Sequence, residues 1–447
     1  MSSEKGLAPF LEKMNREELP EVAKDSFSLY YRKLLEGATG LVSEEEIEGV
    51  EALPDAENLR AEQGERGREL LSSTVHVVLN GGLGTSMGLT KAKSLLPVRD
   101  GMSFLEILAR RSHAQGTALV LMNSFATQED SLEALEALGL RSAEKEGVPP
   151  DFVQHKVPKV DADTLAPARW EKNPALEWCP PGHGDIYPAL VSSGMLKMLL
   201  EKGYRYAFLS NADNLGATID ESILGFFAES RAPFLMEVSD RTEADKKGGH
   251  LARRKSDGRL ILRESAQCPQ EQLDAFTDVN RYAYFNTNSI WLDLRALSTV
   301  LEKRRGVLGL PMIRNRKTVD PRDPDSPRVY QLETAMGSAI EVFNGAQALR
   351  VPRARFAPVK TTNDLLVVRS DATKITPDLQ LIPNPNRALP GPPMLDLDPR
   401  FFKRIDDFES RFLEGAPSFM GCKSLMVQGD VLFKGAVTLQ EDVRWNE

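Results

Sequence analysis

Apolar residues near the start of the chain recur at three- and four-residue intervals, as Leu7, Phe10, Leu11 and Met14 and then as Phe27, Tyr30, Tyr31, Leu34 and Leu35. Side chains so spaced share one face of a helix, which predicts an N-terminal helical segment within residues 1–70. Ser43 followed by Glu46 has the form of a capping box and predicts another short helix, with the polar stretch Glu57 to Glu69 as the connection onward. From Thr74 the period changes. The runs Val75–Leu79, Ala118–Met122, Tyr206–Leu209, Phe234–Val238 and Ser289–Leu292 predict strands, and amphipathic helical patterns alternate with them. That alternation predicts an α/β domain over residues 71–370 with a mostly parallel central sheet flanked by helices.

After residue 370 the prolines at 377, 383, 385, 390, 392 and 393 allow neither a long helix nor a central strand, so a linker is expected. Beyond it Leu425, Val431, Val437 and Val443 are spaced by six, as are Val427, Phe433 and Leu439, with Gly429 and Gly435 in step. Six is the period of a hexapeptide β-helix, and two ordinary hairpin strands are the alternative reading of so short a stretch. Residues 371–447 are thus expected to form a linker and a small C-terminal domain.

Composition narrows the class. The 447 residues include 56 basic and 65 acidic side chains, a formal charge of −9, which argues against non-specific nucleic-acid binding. Cys179, Cys268 and Cys422 lie far apart without a CxxC pair, so a reducing, cytoplasmic setting is expected rather than a disulfide framework or a zinc site. No run of eighteen apolar residues predicts a membrane span.

In sheets of this kind ligands bind beyond the carboxyl ends of the strands. The first expected strand runs into Asn80-Gly81-Gly82-Leu83-Gly84-Thr85-Ser86-Met87-Gly88, where missing Cβ atoms let backbone N–H groups approach phosphate oxygens. The loop is not a Walker A motif, and Met87 stands where a dinucleotide fingerprint has its third glycine. Lys91 and Lys93 follow closely, placed to neutralise charge on a triphosphate. Pro180-Pro181-Gly182-His183-Gly184-Asp185 precedes the helical run Ile186 to Leu200, with Asp185 as its expected N-cap and His183 on a fixed backbone. Ser210-Asn211-Ala212-Asp213-Asn214-Leu215-Gly216 puts a carboxylate at a strand end, where Asp213 suits Mg²⁺ or, alternatively, an Asx turn. Lys247-Gly248-Gly249, Glu264, Phe285-Asn286-Thr287-Asn288 and Lys360 add carboxylate and amide groups of the kind that bind sugar hydroxyls.

Together these blocks resemble the eukaryote-type UTP–glucose-1-phosphate uridylyltransferases, also called UDP-glucose pyrophosphorylases. The match extends through Leu121-Met122-Asn123-Ser124-Phe125, Gln331-Leu332-Glu333-Thr334-Ala335 and Pro358-Val359-Lys360-Thr361-Thr362. The resemblance implies a Rossmann-like nucleotide-diphospho-sugar transferase domain, an N-terminal helical part and a C-terminal left-handed β-helix. It implies that Leu79, Gly81, Gly82, Gln154, Gly182, Asn211 and Asp213 bind nucleotide, that Asp213 holds Mg²⁺, and that His183, Gly249, Glu264, Asn286 and Asn288 meet the sugar. It implies catalytic roles for Lys93 and Lys360. The expected partners are UTP, glucose 1-phosphate, UDP-glucose and diphosphate, with no nucleic acid and no membrane. The stretch Gly88-Leu89-Thr90-Lys91-Ala92-Lys93-Ser94 departs from the family's usual loop by displacing the first lysine one residue. The C-terminal segment is shorter than in many relatives, and both a monomer and a homo-oligomer joined through it fit. A broad UDP-sugar or UDP-N-acetylhexosamine pyrophosphorylase and a non-catalytic nucleotide-sugar sensor are the alternatives.

Overall fold

The computed structural model describes residues 3–139, 147–246 and 248–446. The chain forms two compact units of interleaved segments. Unit 1 comprises Met1–Val75, Phe152–Leu209 and Asp220–Val351, and unit 2 comprises His76–Asp151, Ser210–Ile219 and Pro352–Glu447.

Unit 1 opens with the helices Ser3–Arg16 and Glu21–Leu35. Their helical stripe is the one the apolar spacing predicts: Leu7, Phe10, Met14, Phe27, Tyr30, Tyr31 and Leu34 are buried in one cluster. Phe10 lies 5.0 Å from Phe27 and 4.7 Å from Tyr31, tilted in both cases. Two local expectations fail here. Ser43–Glu46 does not start a helix, because Ile47–Glu48 pairs antiparallel with Arg253–Arg254 and draws the backbone into an extended form. The polar stretch after Glu57 is no mere connection: Ala61–Leu70 is a helix. It packs on the helix Glu221–Ser230 through backbone rather than through apolar side chains. An added Cβ at Gly67 would lie 1.7 Å from the Glu221 carbonyl oxygen, and one at Gly225 would lie 1.8 Å from that of Gln63. Periodicity of apolar residues is blind to such a contact.

The expected strands are all present and longer: Thr74–Asn80, Ala118–Asn123, Tyr206–Asn211, Phe234–Asp240 and Tyr284–Asp293. The chain is mixed α/β with a large sheet, and unit 1 holds its antiparallel pairings. Tyr284–Asp293 runs antiparallel to both Phe234–Asp240 and the start of Tyr206–Asn211, and His250–Arg254 forms a hairpin with Leu260–Arg263. Phe234–Asp240 also pairs in parallel with Gln347–Arg350. The strands Thr74–Asn80 and Tyr206–Asn211 pass from unit 1 to unit 2 along their length, which carries their carboxyl ends into unit 2.

In unit 2 a single apolar cluster joins the loop residues Met87 and Leu96, the helix Phe104–Gln115 and the C-terminal residues Phe419, Leu425, Val427, Phe433 and Leu439. The proline-rich stretch forms no long helix and has only the short hairpin Thr373–Ile375 and Leu381–Pro383. Next come three strands in parallel, Met394–Leu397, Ser418–Gln428 and Thr438–Asn446. Parallel pairing rules out the hairpin alternative for the last two.

Candidate active site

The residues singled out in the sequence fall into two sets, one in each unit. In unit 2, Thr74–Asn80 delivers the glycine loop, and Asn80 anchors it by donating to Asn123 and to Ser131, both at 2.8 Å. Gly84 (φ 67°) and Gly88 (φ 76°) flank the short turn Thr85–Met87 in left-handed conformations that a side chain would strain. Gly82 is different. Its φ is ordinary and an added Cβ would meet nothing within 4 Å, so the protein's own packing does not call for glycine there. The Gly81 carbonyl accepts from Ser124 at 3.0 Å, and that of Gly82 accepts from the Lys93 amide at 3.0 Å.

The loop thus folds Lys93 back beside the next strand end. Its ammonium lies 2.6 Å from Oδ2 of Asp213, with both side chains largely buried. The Ala212 amide donates to the Leu79 carbonyl at 3.1 Å, so Leu79, Asn211 and Asp213 share one end of the paired strands. Lys91 is turned away from Asp213: it is 70% exposed and its ammonium stands 3.4 Å from Asp130. Lys360 is exposed and makes no side-chain contact with Lys93 or Asp213, yet its backbone is held on both sides. The Val359 amide donates to the Asp213 carbonyl at 3.0 Å, and the Lys360 amide donates to the Asp364 carboxylate at 2.8 Å.

Asn214 is a position that the sequence reading passed over. Its buried amide accepts from the Ala357 N–H at 2.9 Å and donates to the Arg355 carbonyl at 3.2 Å, clamping the segment that leads to Lys360. Its signal in the sequence was its place in the block Asp213-Asn214-Leu215-Gly216.

In unit 1, Gly182 (φ 80°) is required by close approach, since a Cβ would lie 2.4 Å from the Thr334 carbonyl oxygen. The Gly184 amide donates to that oxygen at 2.8 Å. His183 Nδ1 accepts from the Met336 amide at 3.1 Å. A neutral imidazole accepting at Nδ1 carries its proton on Nε2, so this ring presents an N–H donor. Loss of hydration pushes its pKa down to about 4, which keeps it neutral.

Asp185 does not cap the helix that follows. Its buried carboxylate accepts instead from the His155 amide at 2.6 Å and meets His155 Nδ1 at 2.8 Å, which ties the residue after Gln154 to the turn that begins at His183. The helical run is also broken, by Gly194 (φ 75°), into Ile186–Ser192 and Met195–Glu201.

The remaining four residues come together around a bulge. Register shifts between Glu237 and Val238, which oppose Ser289 and Asn286, so Thr287 and Asn288 are extra. Asn288 adopts φ 58°, a left-handed conformation that asparagine tolerates better than most residues. Bulges re-aim side chains beside functional sites. Asn286 here donates to the Asn288 side chain at 2.7 Å, and the Asn286 amide donates to the Gly249 carbonyl at 3.2 Å. A Cβ on Gly249 would lie 2.5 Å from the Glu264 carboxylate, and one on Gly337 would lie 3.0 Å from the Asn286 amide nitrogen. Gly337 follows Met336, which holds His183, so one short segment touches both halves of this set. Lys247 lies outside the described residues.

The two sets differ in chemistry. Unit 2 offers backbone amides, two lysines and one carboxylate; unit 1 offers neutral donors and acceptors with one carboxylate. Among the described residues no group of three or more His, Cys, Asp or Glu side chains forms a metal cage. Asp213 can hold Mg²⁺ nonetheless, because that ion commonly takes one or two carboxylates and completes its shell with phosphate and water.

The family model described as UTP–glucose-1-phosphate uridylyltransferase matches residues 24–440. The chain is 39% identical to UTP–glucose-1-phosphate uridylyltransferase of Solanum tuberosum over 383 residues, covering 84% of this chain and 77% of that one. A solved structure of a UDP-glucose pyrophosphorylase variant from Leishmania major in complex with UDP-glucose matches with a TM-score of 0.90 and 42% identity, covering 98% of this chain and 94% of the other. The UDP-glucose phosphorylase of Trypanosoma brucei matches at the same TM-score and identity, with the same coverage of this chain.

Proposed function

The chain belongs to the UTP–glucose-1-phosphate uridylyltransferase family, and from that premise we propose that it converts UTP and glucose 1-phosphate into UDP-glucose and diphosphate. The observation that carries this reading is the Lys93–Asp213 pair at the end of the glycine-loop strand, with the Lys360 segment bonded to the Asp213 backbone. A phosphate loop, a metal-competent carboxylate and two lysines are what transfer at a triphosphate requires.

An oxygen of glucose 1-phosphate attacks the α-phosphorus of UTP in line, and diphosphate leaves from the opposite side. The attacking phosphate is already ionised at neutral pH, so no general base and no covalent enzyme intermediate are needed. Leu79, Gly81, Gly82 and Asn211 are assigned to the nucleotide together with Gln154 and Gly182. The open side of Gly82 supports close approach of a ligand to its backbone. Lys93 and Lys360 stabilise the charge that builds on the phosphates during transfer. Asp213 holds Lys93 in place and would hold Mg²⁺, which when bound would neutralise phosphate charge. His183 donates from Nε2, and Gly249, Glu264, Asn286 and Asn288 are assigned to the glucose hydroxyls.

The three-part division into residues 1–70, 71–370 as nucleotidyltransferase and 371–447 as linker and left-handed β-helix belongs to the same proposal. Leu425 pairs with Val443 and Val427 with Trp445, each eighteen residues on, which is three hexads and supports a coil of hexapeptides. Three buried free cysteines suit a reducing cytoplasm.

The test is diphosphate release from UTP or ATP with a series of sugar 1-phosphates. UTP with glucose 1-phosphate is expected to be the preferred pair. Turnover of N-acetylglucosamine 1-phosphate without turnover of glucose 1-phosphate would overturn the sugar assignment.

A further inference from the structure

Arg111 sits on the helix Phe104–Gln115 with its side chain 1% exposed. Among the described residues no carboxylate hydrogen-bonds to it or pairs with it at close range, and Asp378 acts on it only from further off. Its guanidinium donates instead to two backbone carbonyls, Leu215 at 3.0 Å and Ala217 at 2.9 Å. A buried cation is costly to strip of water, so the hydrogen bonds it makes must offset that cost. Packing alone therefore gives no reason for an arginine here.

What the two carbonyls belong to supplies one. They lie in the turn that follows Asp213, which closes on itself through the Asn214 amide to the Asn211 carbonyl at 3.1 Å and the Ala217 amide to the Asn214 carbonyl at 3.2 Å. That turn is laced in turn to residues 354–359. Asn214 holds Arg355 and Ala357, Asp213 accepts from Val359, and Arg355 donates to the Thr218 carbonyl at 2.8 Å. Gly216 is pressed so close that a Cβ would lie 2.5 Å from the Ala354 carbonyl oxygen. The turn therefore transmits its position to the segment that ends at Lys360, and the forked grip of Arg111 sets the position of the turn. Lysine cannot reproduce that grip, because one ammonium does not span two carbonyls with fixed geometry.

We propose that Arg111 is a positioning residue for uridylyl transfer, gripping the Leu215 and Ala217 carbonyls so that Asp213 and Lys360 keep one fixed relation. The inference rests on the functional reading above and deepens it. Arg111 touches no substrate; it acts through the turn.

The experiment compares full-length wild type with Arg111→Lys and Arg111→Gln by hydrogen exchange and steady-state kinetics. In both variants, peptides covering 211–219 and 355–361 are expected to exchange faster together, while those covering 284–293 keep the wild-type rate. Turnover is expected to fall by about 10–100-fold, the usual cost of losing a group that orients a ligand, with KM for glucose 1-phosphate little changed. If Arg111→Gln fails to fold, Arg111→Lys, which keeps the charge, carries the test. A folded variant with wild-type kcat overturns the proposal, and so does loosening of 211–219 that leaves 355–361 protected. Wild-type protein that releases no diphosphate would sink the transfer reading instead, while the coupled exchange of the two peptides would still stand or fall on its own.

Discussion

Lys360 has its backbone fixed while its side chain stays exposed. Among the described residues nothing holds its ammonium, but the Asp213 carbonyl grips the residue before it and the Asp364 carboxylate grips its own amide. Lys360→Ala should leave this backbone intact and lower kcat by about 10²–10³, as loss of one donor to the transition state does. A folded variant with near-normal turnover in the diphosphate assay would remove Lys360 from the mechanism. Gly249 makes the opposite case, a residue whose role is to be small. Gly249→Ala would place a methyl 2.5 Å from the Glu264 carboxylate, which must then swing aside. Because that carboxylate ends a flexible side chain, the fold should survive. KM for glucose 1-phosphate should rise while KM for UTP stays put, as initial-rate kinetics with each substrate varied would show. The placement of Lys93 and Asp213 just beyond strands was legible in the sequence because each follows an apolar run with a distinctive loop. Gly337 and Asn214 were not, since their importance lies in which distant backbone they meet.

At the scale of elements, the bulge in Tyr284–Asp293 combines a strained backbone with a side-chain bond, and the two can be separated. Asn288→Gly suits φ 58° at least as well as asparagine and should cost little stability, but it deletes the bond from Asn286. A higher KM for glucose 1-phosphate with an unchanged urea midpoint is the expected result. Asn288→Ala adds backbone strain to the same loss and should lower stability by about 1–3 kcal/mol. The strands were readable from apolar runs because their buried faces speak for themselves. The bulge was not, because two extra residues leave no mark in a pattern of period two. The helix Ala61–Leu70 escaped for a related reason, since glycine contacts replace the apolar stripe that announces a packed helix. The parallel C-terminal strands kept their six-residue signature because Leu425, Val427, Phe433 and Leu439 are all buried.

For the whole molecule, neutral histidines with lowered pKa values make stability depend on pH in a defined direction. Burial holds His183 at about 4, and burial with the nearby Arg111 charge holds His76 at about 3; burial also keeps His250 well below its usual value. Unfolded, each would titrate near 6.5, so between these values the unfolded chain binds protons that the folded chain does not. Stability should therefore be full above about pH 6.5 and decline as pH falls through about 4. Urea midpoints at pH 7, 6 and 5 should decrease in that order, and His76→Gln should lessen the slope by one proton. Equal midpoints would show that these rings are hydrated in the folded state.

The interleaving of unit 2 also has a consequence for biosynthesis. The glycine loop, Asp213 and Lys360 stand on segments 76–151, 210–219 and 352–447, which share one apolar cluster. At 5–20 residues per second, a ribosome needs about 10–40 s to pass from residue 151 to residue 352. Through that interval Phe104, Leu105, Ile107 and Leu108 have been made while Phe419, Leu425 and Phe433, which cover the same cluster, have not. The growing chain thus carries exposed apolar surface for which a chaperone is the natural cover. Activity on ribosome-bound chains should appear all at once, only after residues 352–447 have emerged, and truncated products of more than three hundred residues should have none.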